Sequence, residues 1–134
     1  TYNGRFPAPT LIVRPGDRLQ IRLTNNAPTW TNLHFHGLHV SPLGLQDNVF
    51  AQIEPGATRL YDVRIPSTHP GGLFWYHPHF HTETGPQVWA GLSGLLVVEV
   101  GLRICPASRG YVVVPSAFAK AVWALIWHGP STRR

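Results

Sequence analysis

Polar and apolar residues alternate along much of the first hundred positions. Arg18-Leu19-Gln20-Ile21-Arg22-Leu23-Thr24 keeps a period of two over seven residues, which predicts a half-buried strand with Leu19, Ile21 and Leu23 inward. A shorter apolar run, Thr10-Leu11-Ile12-Val13, predicts a strand closed by the turn Pro15-Gly16-Asp17. Alternation returns over residues 58–65, and aromatic or β-branched runs predict further strands at 32–40, from Leu73 onward, and at 95–100. Proline and glycine turns separate these runs, and almost no helical period appears. The pattern predicts an all-β domain, an antiparallel sandwich or barrel.

Near residue 100 the pattern breaks. Alternation stops, and small residues mix with Trp123 and Trp127. A short strand at 111–114 and a short helix at 118–128 are the elements predicted there. Charge divides at the same point. Residues 1–100 hold six arginines and six acids, so the whole net charge of +5 comes from Arg103, Arg109, Lys120, Arg133 and Arg134. The chain thus reads as a domain over 1–100 and a tail over 101–134. That tail is either a C-terminal extension or the product of a reading frame lost near residue 100, because local and global signals stop agreeing there. The basic balance belongs to the tail, and no basic face with interleaved aromatics marks the domain as a nucleic-acid binder.

Charged residues make up only 13% of the chain, against about 25% in ordinary soluble domains, which predicts surface normally covered by another domain or chain. No methionine occurs, even at residue 1, so a processed product or a piece of a longer chain is expected. The longest apolar run, 121–127, is far shorter than the roughly 20 residues needed to span a bilayer. A single cysteine, Cys105, excludes an internal disulfide.

The chemistry concentrates in the histidines. His34-Phe35-His36 and His77-Pro78-His79-Phe80-His81 place imidazoles at alternate positions, so that an extended chain points each set to one face. Pro78 favours that geometry by pushing His77 out of the helical region. Two such pairs supply four neutral imidazoles, a donor set suited to copper, zinc, iron or nickel, with copper(II) bound most tightly of the divalent series. His81 continues the alternation and is either a fifth ligand or a group outside the ligand set. His39 falls on the opposite face of its strand and is expected to be structural; His69 and His128 are expected to be bystanders. Asp47 is either a turn residue or a carboxylate able to relay protons beside a metal-bound oxygen species. Cys105 lacks the neighbouring histidine and the methionine that a blue-copper thiolate would need. Structural zinc fits poorly, since cysteines at the usual spacings are missing.

These motifs resemble the first cupredoxin domain of the multicopper oxidase, or laccase-like, family. The likeness lies in HFHGLHVSP (34–42), in GLFWYHPHFH with QVWAGLSGLLVVE (72–99), and in the opening FPAPTLIVRPGDRLQIRLTNN. The resemblance implies a cupredoxin-like Greek-key sandwich. It implies that His34 is a ligand of a type 2 copper and that His36, His77 and His79 are ligands of a type 3 pair. It also implies that Asp47 takes part in proton delivery and that the location is periplasmic or secreted. In this family the trinuclear cluster lies between the first and last domains, and the blue copper belongs to the last. Nothing after residue 100 resembles that last domain. The implied function is therefore half of a copper site that reduces dioxygen to water while a reducing substrate is oxidised. The other half would come from a downstream cupredoxin domain or a second chain. A non-enzymatic copper-binding module, or an inactive remnant, is the alternative.

Overall fold

The computed structural model describes residues 1–100 and 123–127 of the 134. Among these residues a 3-10 turn at Tyr2–Gly4 is followed by seven strands and one α-helix: β1 (Leu11–Val13), β2 (Arg18–Thr24), β3 (His34–His36), β4 (Thr58–Arg64), β5 (Gly72–His77), α1 (Thr84–Trp89), β6 (Gly94–Val98) and β7 (Trp123–Trp127). They form a four-stranded sheet of order β1-β6-β5-β3 and a three-stranded sheet of order β4-β2-β7. The fold is all-β, as the alternation predicts. One pair departs from a purely antiparallel plan: β1 runs parallel to β6, in register Leu11 with Leu96 through Val13 with Val98.

The core fills the space between the sheets. Leu19, Ile21 and Leu23 turn inward from β2 as expected, joined by Tyr61 and Val63 of β4. Leu11, Val13, Phe35, Tyr76, Leu96 and Val98 meet them from the other sheet. Burying such side chains is the main favourable term in folding, on the order of 1.5–3 kcal/mol for each large one. Two tyrosine hydroxyls settle backbone groups inside this core. Tyr61 accepts the Leu33 N–H at 2.9 Å, and Tyr76 donates to the Pro9 carbonyl at 2.6 Å. Burial pushes the Tyr61 phenol up to about 12.

The first histidine strand is shorter than the predicted 32–40. β3 stops at His36 because Gly37 takes φ +85°, a left-handed conformation that ends extended geometry, and Leu38 N–H turns back to the Phe35 carbonyl. β5 likewise stops at His77, since Pro78 has no N–H to continue a ladder. The polar segment at 82–87 contributes most of α1. The buried Gln87 side chain ties that helix to the segment before β3: it accepts from the Thr31 hydroxyl at 2.7 Å and donates to the Trp30 carbonyl at 2.8 Å.

The free edge of β4 is covered by the 43–46 segment. Asp62 N–H donates to the Leu45 carbonyl, and Arg64 N–H to the Gln46 side chain. Such a cover blocks pairing with foreign strands. In the tail, a strand stands where a short helix over 118–128 was predicted. β7 pairs antiparallel with β2, Arg18 opposite Trp127 and Arg22 opposite Trp123, so a run of aromatic and aliphatic residues has found a ladder that outweighs its weak helical period. The strand predicted at 111–114 lies outside the described residues, as do Cys105 and His128.

Candidate metal centre

The register between β3 and β5 builds the site. His34 stands opposite His77, Phe35 opposite Tyr76, and His36 opposite Trp75. Directly opposed residues share a face of the sheet, so Phe35 and Tyr76 enter the core while His34, His36, His77 and Trp75 lie together on the other side. One potential ligand atom from each of His34, His36 and His77 falls within 4.8 Å of the other two.

His79 joins the group by a different route. It lies beyond the end of β5, so the alternation that predicted its direction no longer applies. Its ring nevertheless sits 5.1 Å from that of His34 and 6.2 Å from that of His77. His81 lies in the following turn, exposed and outside the three-histidine group. The expected row of three imidazoles on one strand face is thus broken at Pro78.

Three rings of the cluster have defined partners through Nδ1. Asp47 accepts from His34 Nδ1 at 3.0 Å and, through the same oxygen, from the Phe35 N–H at 2.9 Å. A carboxylate only accepts, so His34 carries its proton on Nδ1 and keeps a lone pair on Nε2. His77 donates from Nδ1 to the Pro78 carbonyl at 2.7 Å, which leaves its Nε2 without a proton. That nitrogen faces His36 Nδ1 at 3.3 Å. Burial lowers the His77 pKa below its ordinary value, and the rings of His34, His36 and His79 lower it further, against the opposing effect of the Pro78 carbonyl. His34 and His77 thus each have one ring nitrogen held by an oxygen and the other turned to the cluster, the arrangement a transition-metal ion requires. The donor set therefore fits a metal ion.

Trp75 stacks on His77 at 3.9 Å between ring centroids and lies 5.1 Å from His36. A cleft of about 560 Å³ opens beside His77, walled by Phe6, Trp75, Val88 and Trp89. Trp89 is 94% exposed and Phe6 74%. Both are large apolar side chains open to solvent in this chain.

The remaining histidines play other parts. His39 lies outside the shortened β3, and its backbone N–H donates to His69 Nε2 at 2.9 Å. His69 is buried, and its Nδ1 donates to the Pro70 carbonyl at 2.7 Å, so it braces the loop and is no bystander. Sequence reasoning also missed Asn32 and Gln87, two buried amides whose partners are dozens of residues away.

Comparison with known proteins follows the same outline. A family model described as multicopper oxidase matches residues 1–101. The chain is 39% identical over 99 residues to a multicopper oxidase of Staphylococcus haemolyticus, covering 73% of this chain and 21% of that protein. It is 42% identical over 104 residues to an iron transport multicopper oxidase of Kluyveromyces lactis, covering 74% of this chain and 16% of that one. Among solved structures, a multicopper oxidase from Campylobacter jejuni, described as a metallo-oxidase, superimposes with a TM-score of 0.66 at 37% identity, covering 72% of this chain and 20% of that one. The chain thus spans a fifth or less of two of these proteins, and about that share of the other.

Proposed function

This chain belongs to the multicopper oxidase family, and from that premise we propose that it is a copper-binding N-terminal domain supplying half of a trinuclear copper site. One observation carries the proposal: ligand atoms of His34, His36 and His77 gather within 4.8 Å on one sheet face, with His79 beside them. In this reading His34 serves the type 2 copper, and His36, His77 and His79 serve the type 3 pair. Copper, when bound, supplies one-electron redox chemistry and a place for dioxygen to be reduced to water.

The chain's own residues do the holding and the proton handling. Asp47 fixes His34 through Nδ1 and stands where a carboxylate can pass protons toward the site. Pro78 fixes His77 in the tautomer that leaves Nε2 free. The exposed apolar wall beside His77 is the face on which a downstream cupredoxin domain, or a second chain, adds the missing histidines. The reducing substrate delivers its electrons elsewhere, in the part of the protein that carries the blue copper. A periplasmic or secreted location accords with this reading. No helix among the described residues is long and apolar enough to cross a membrane.

The test is copper bound per purified chain, measured with oxygen uptake on a phenolic substrate in the same sample. Weakly held copper and no uptake are expected of a half-site. Stoichiometric copper without uptake would favour a copper-binding module, and copper with uptake would mean that chains complete the cluster between themselves. In a longer parent, His36→Ala or His77→Ala should abolish oxygen reduction; uptake retained with full copper would overturn the ligand assignment.

A further inference from the structure

We propose that Asn32 is a positioning residue that fixes His79 against His34, taking over where the β-ladder ends. The inference rests on the proposed copper site, although its geometry stands without metal. β5 ends at His77, and Pro78 offers no N–H, so nothing in the sheet determines where the chain goes next. An exposed imidazole on such a segment would sample many directions. In the fold, the His79 N–H donates to Asn32 Oδ1 at 2.6 Å.

Asn32 is suited to the task because it is buried and both ends of its amide are bonded. Its side chain is fully buried, and its Nδ2 donates to the Val49 carbonyl at 2.8 Å. One amide thereby joins three segments: the entry to β3, the turn after β5, and the loop two residues beyond Asp47. Asp47 in turn holds His34. The relative position of His34 and His79, 5.1 Å between ring centroids, is therefore set by a closed circuit through Asn32, Val49, Asp47 and His34. The neighbouring Thr31–Gln87 bond pins the same segment from the helix side, so Asn32 is anchored independently of the histidines.

Asparagine meets a particular demand here. One buried position must accept from one backbone group and donate to another. Aspartate keeps the acceptor and loses the donor, while alanine loses both. This contrast gives a test that general loss of packing does not reproduce.

The experiment is nuclear magnetic resonance on the full 134-residue chain without metal, reading solvent exchange of the His79 amide and ring-to-ring contacts between His34 and His79. The unsubstituted chain should protect that amide and show the ring contact. Asn32→Ala should lose both, while Asn32→Asp, which keeps the acceptor for the His79 N–H but cannot donate to the Val49 carbonyl, should keep the amide protection and lose the ring contact. Copper(II) titrated into the same chains should bind about 10- to 100-fold more weakly to Asn32→Ala. Equal behaviour of the two variants would overturn the proposal. So would an unprotected His79 amide in the unsubstituted chain, which decides the matter even if a variant fails to fold. An unsubstituted chain that takes up no copper counts against the copper reading, while the amide and ring measurements still decide the role of Asn32.

Discussion

His34 and His77 face each other across the β3–β5 ladder with ring planes at 90° and centroids 5.3 Å apart. Their meeting depends on register alone. A slip of β3 by one residue would turn His34 and His36 toward the core and expose Phe35, so hydrophobic burial selects the same pairing that gathers the histidines. The core is thus part of the site's precision.

That dependence makes Gly94 a sensitive position. It stands opposite Tyr76 in the β5–β6 pair, and a Cβ there would collide with the tyrosine ring. Gly94→Ala should destabilise the chain by about 1–3 kcal/mol through this overpacking. Urea denaturation checks it, and an unchanged midpoint would mean that the ring has room to yield.

The histidines should separate under substitution. His36→Ala removes a member of the three-histidine group and should weaken copper(II) binding at least about 10-fold. His81→Ala should leave binding unchanged, since His81 lies outside that group. Isothermal titration of both variants decides the point. Equal losses would restore His81 to the ligand set.

Asp47 has two duties that substitution can divide. Asp47→Ala strips the acceptor from the buried Phe35 N–H and should cost about 1–3 kcal/mol of stability. Asp47→Asn keeps an acceptor for that N–H and should cost less, yet in a longer parent it should slow oxygen reduction with copper retained. Thermal melts give the first comparison and oxygen uptake the second.

Alkali should unfold the domain by way of its tyrosines. Burial raises the phenols of Tyr2, Tyr61 and Tyr76, with Tyr61 pushed up to about 12 from 10.0. A folded-state value above the unfolded one means that this stability is fully present below pH 10.0 and is lost as pH climbs toward 12. Tyrosinate absorbance should therefore rise together with the loss of near-ultraviolet circular dichroism. Ionisation of these phenols in a still-folded chain would contradict their burial.

The legible part of this molecule is the part governed by short periods. Leu19, Ile21 and Leu23 declared their strand and its inward face, and His34 and His36 declared a common face by the same rule. Where the period failed, a single backbone event was responsible. Gly37 cut the first histidine strand short, and Pro78 ended the second, so His79 reached the cluster by a path that alternation does not describe. Buried amides were the other gap. Asn32 reaches partners 17 and 47 residues away, and nothing in its neighbours distinguishes it from a loop asparagine. The resemblance of the motifs supplied the family, but not these contacts.

The tie between Gln87 and the segment before β3 has a consequence for how the molecule comes apart. A six-residue helix with no side-chain cap at Glu83 is far below the dozen or so residues that hold a helix together in water. Its existence is therefore lent to it by Thr31 and Trp30. Helix and strand entry then form one cooperative foldon: fraying of either releases Val88 and Trp89 from the cleft wall and loosens the lead into His34 together. Under the proposed copper-site reading, docking of a partner and capture of metal would accordingly be gained, or forfeited, in a single step.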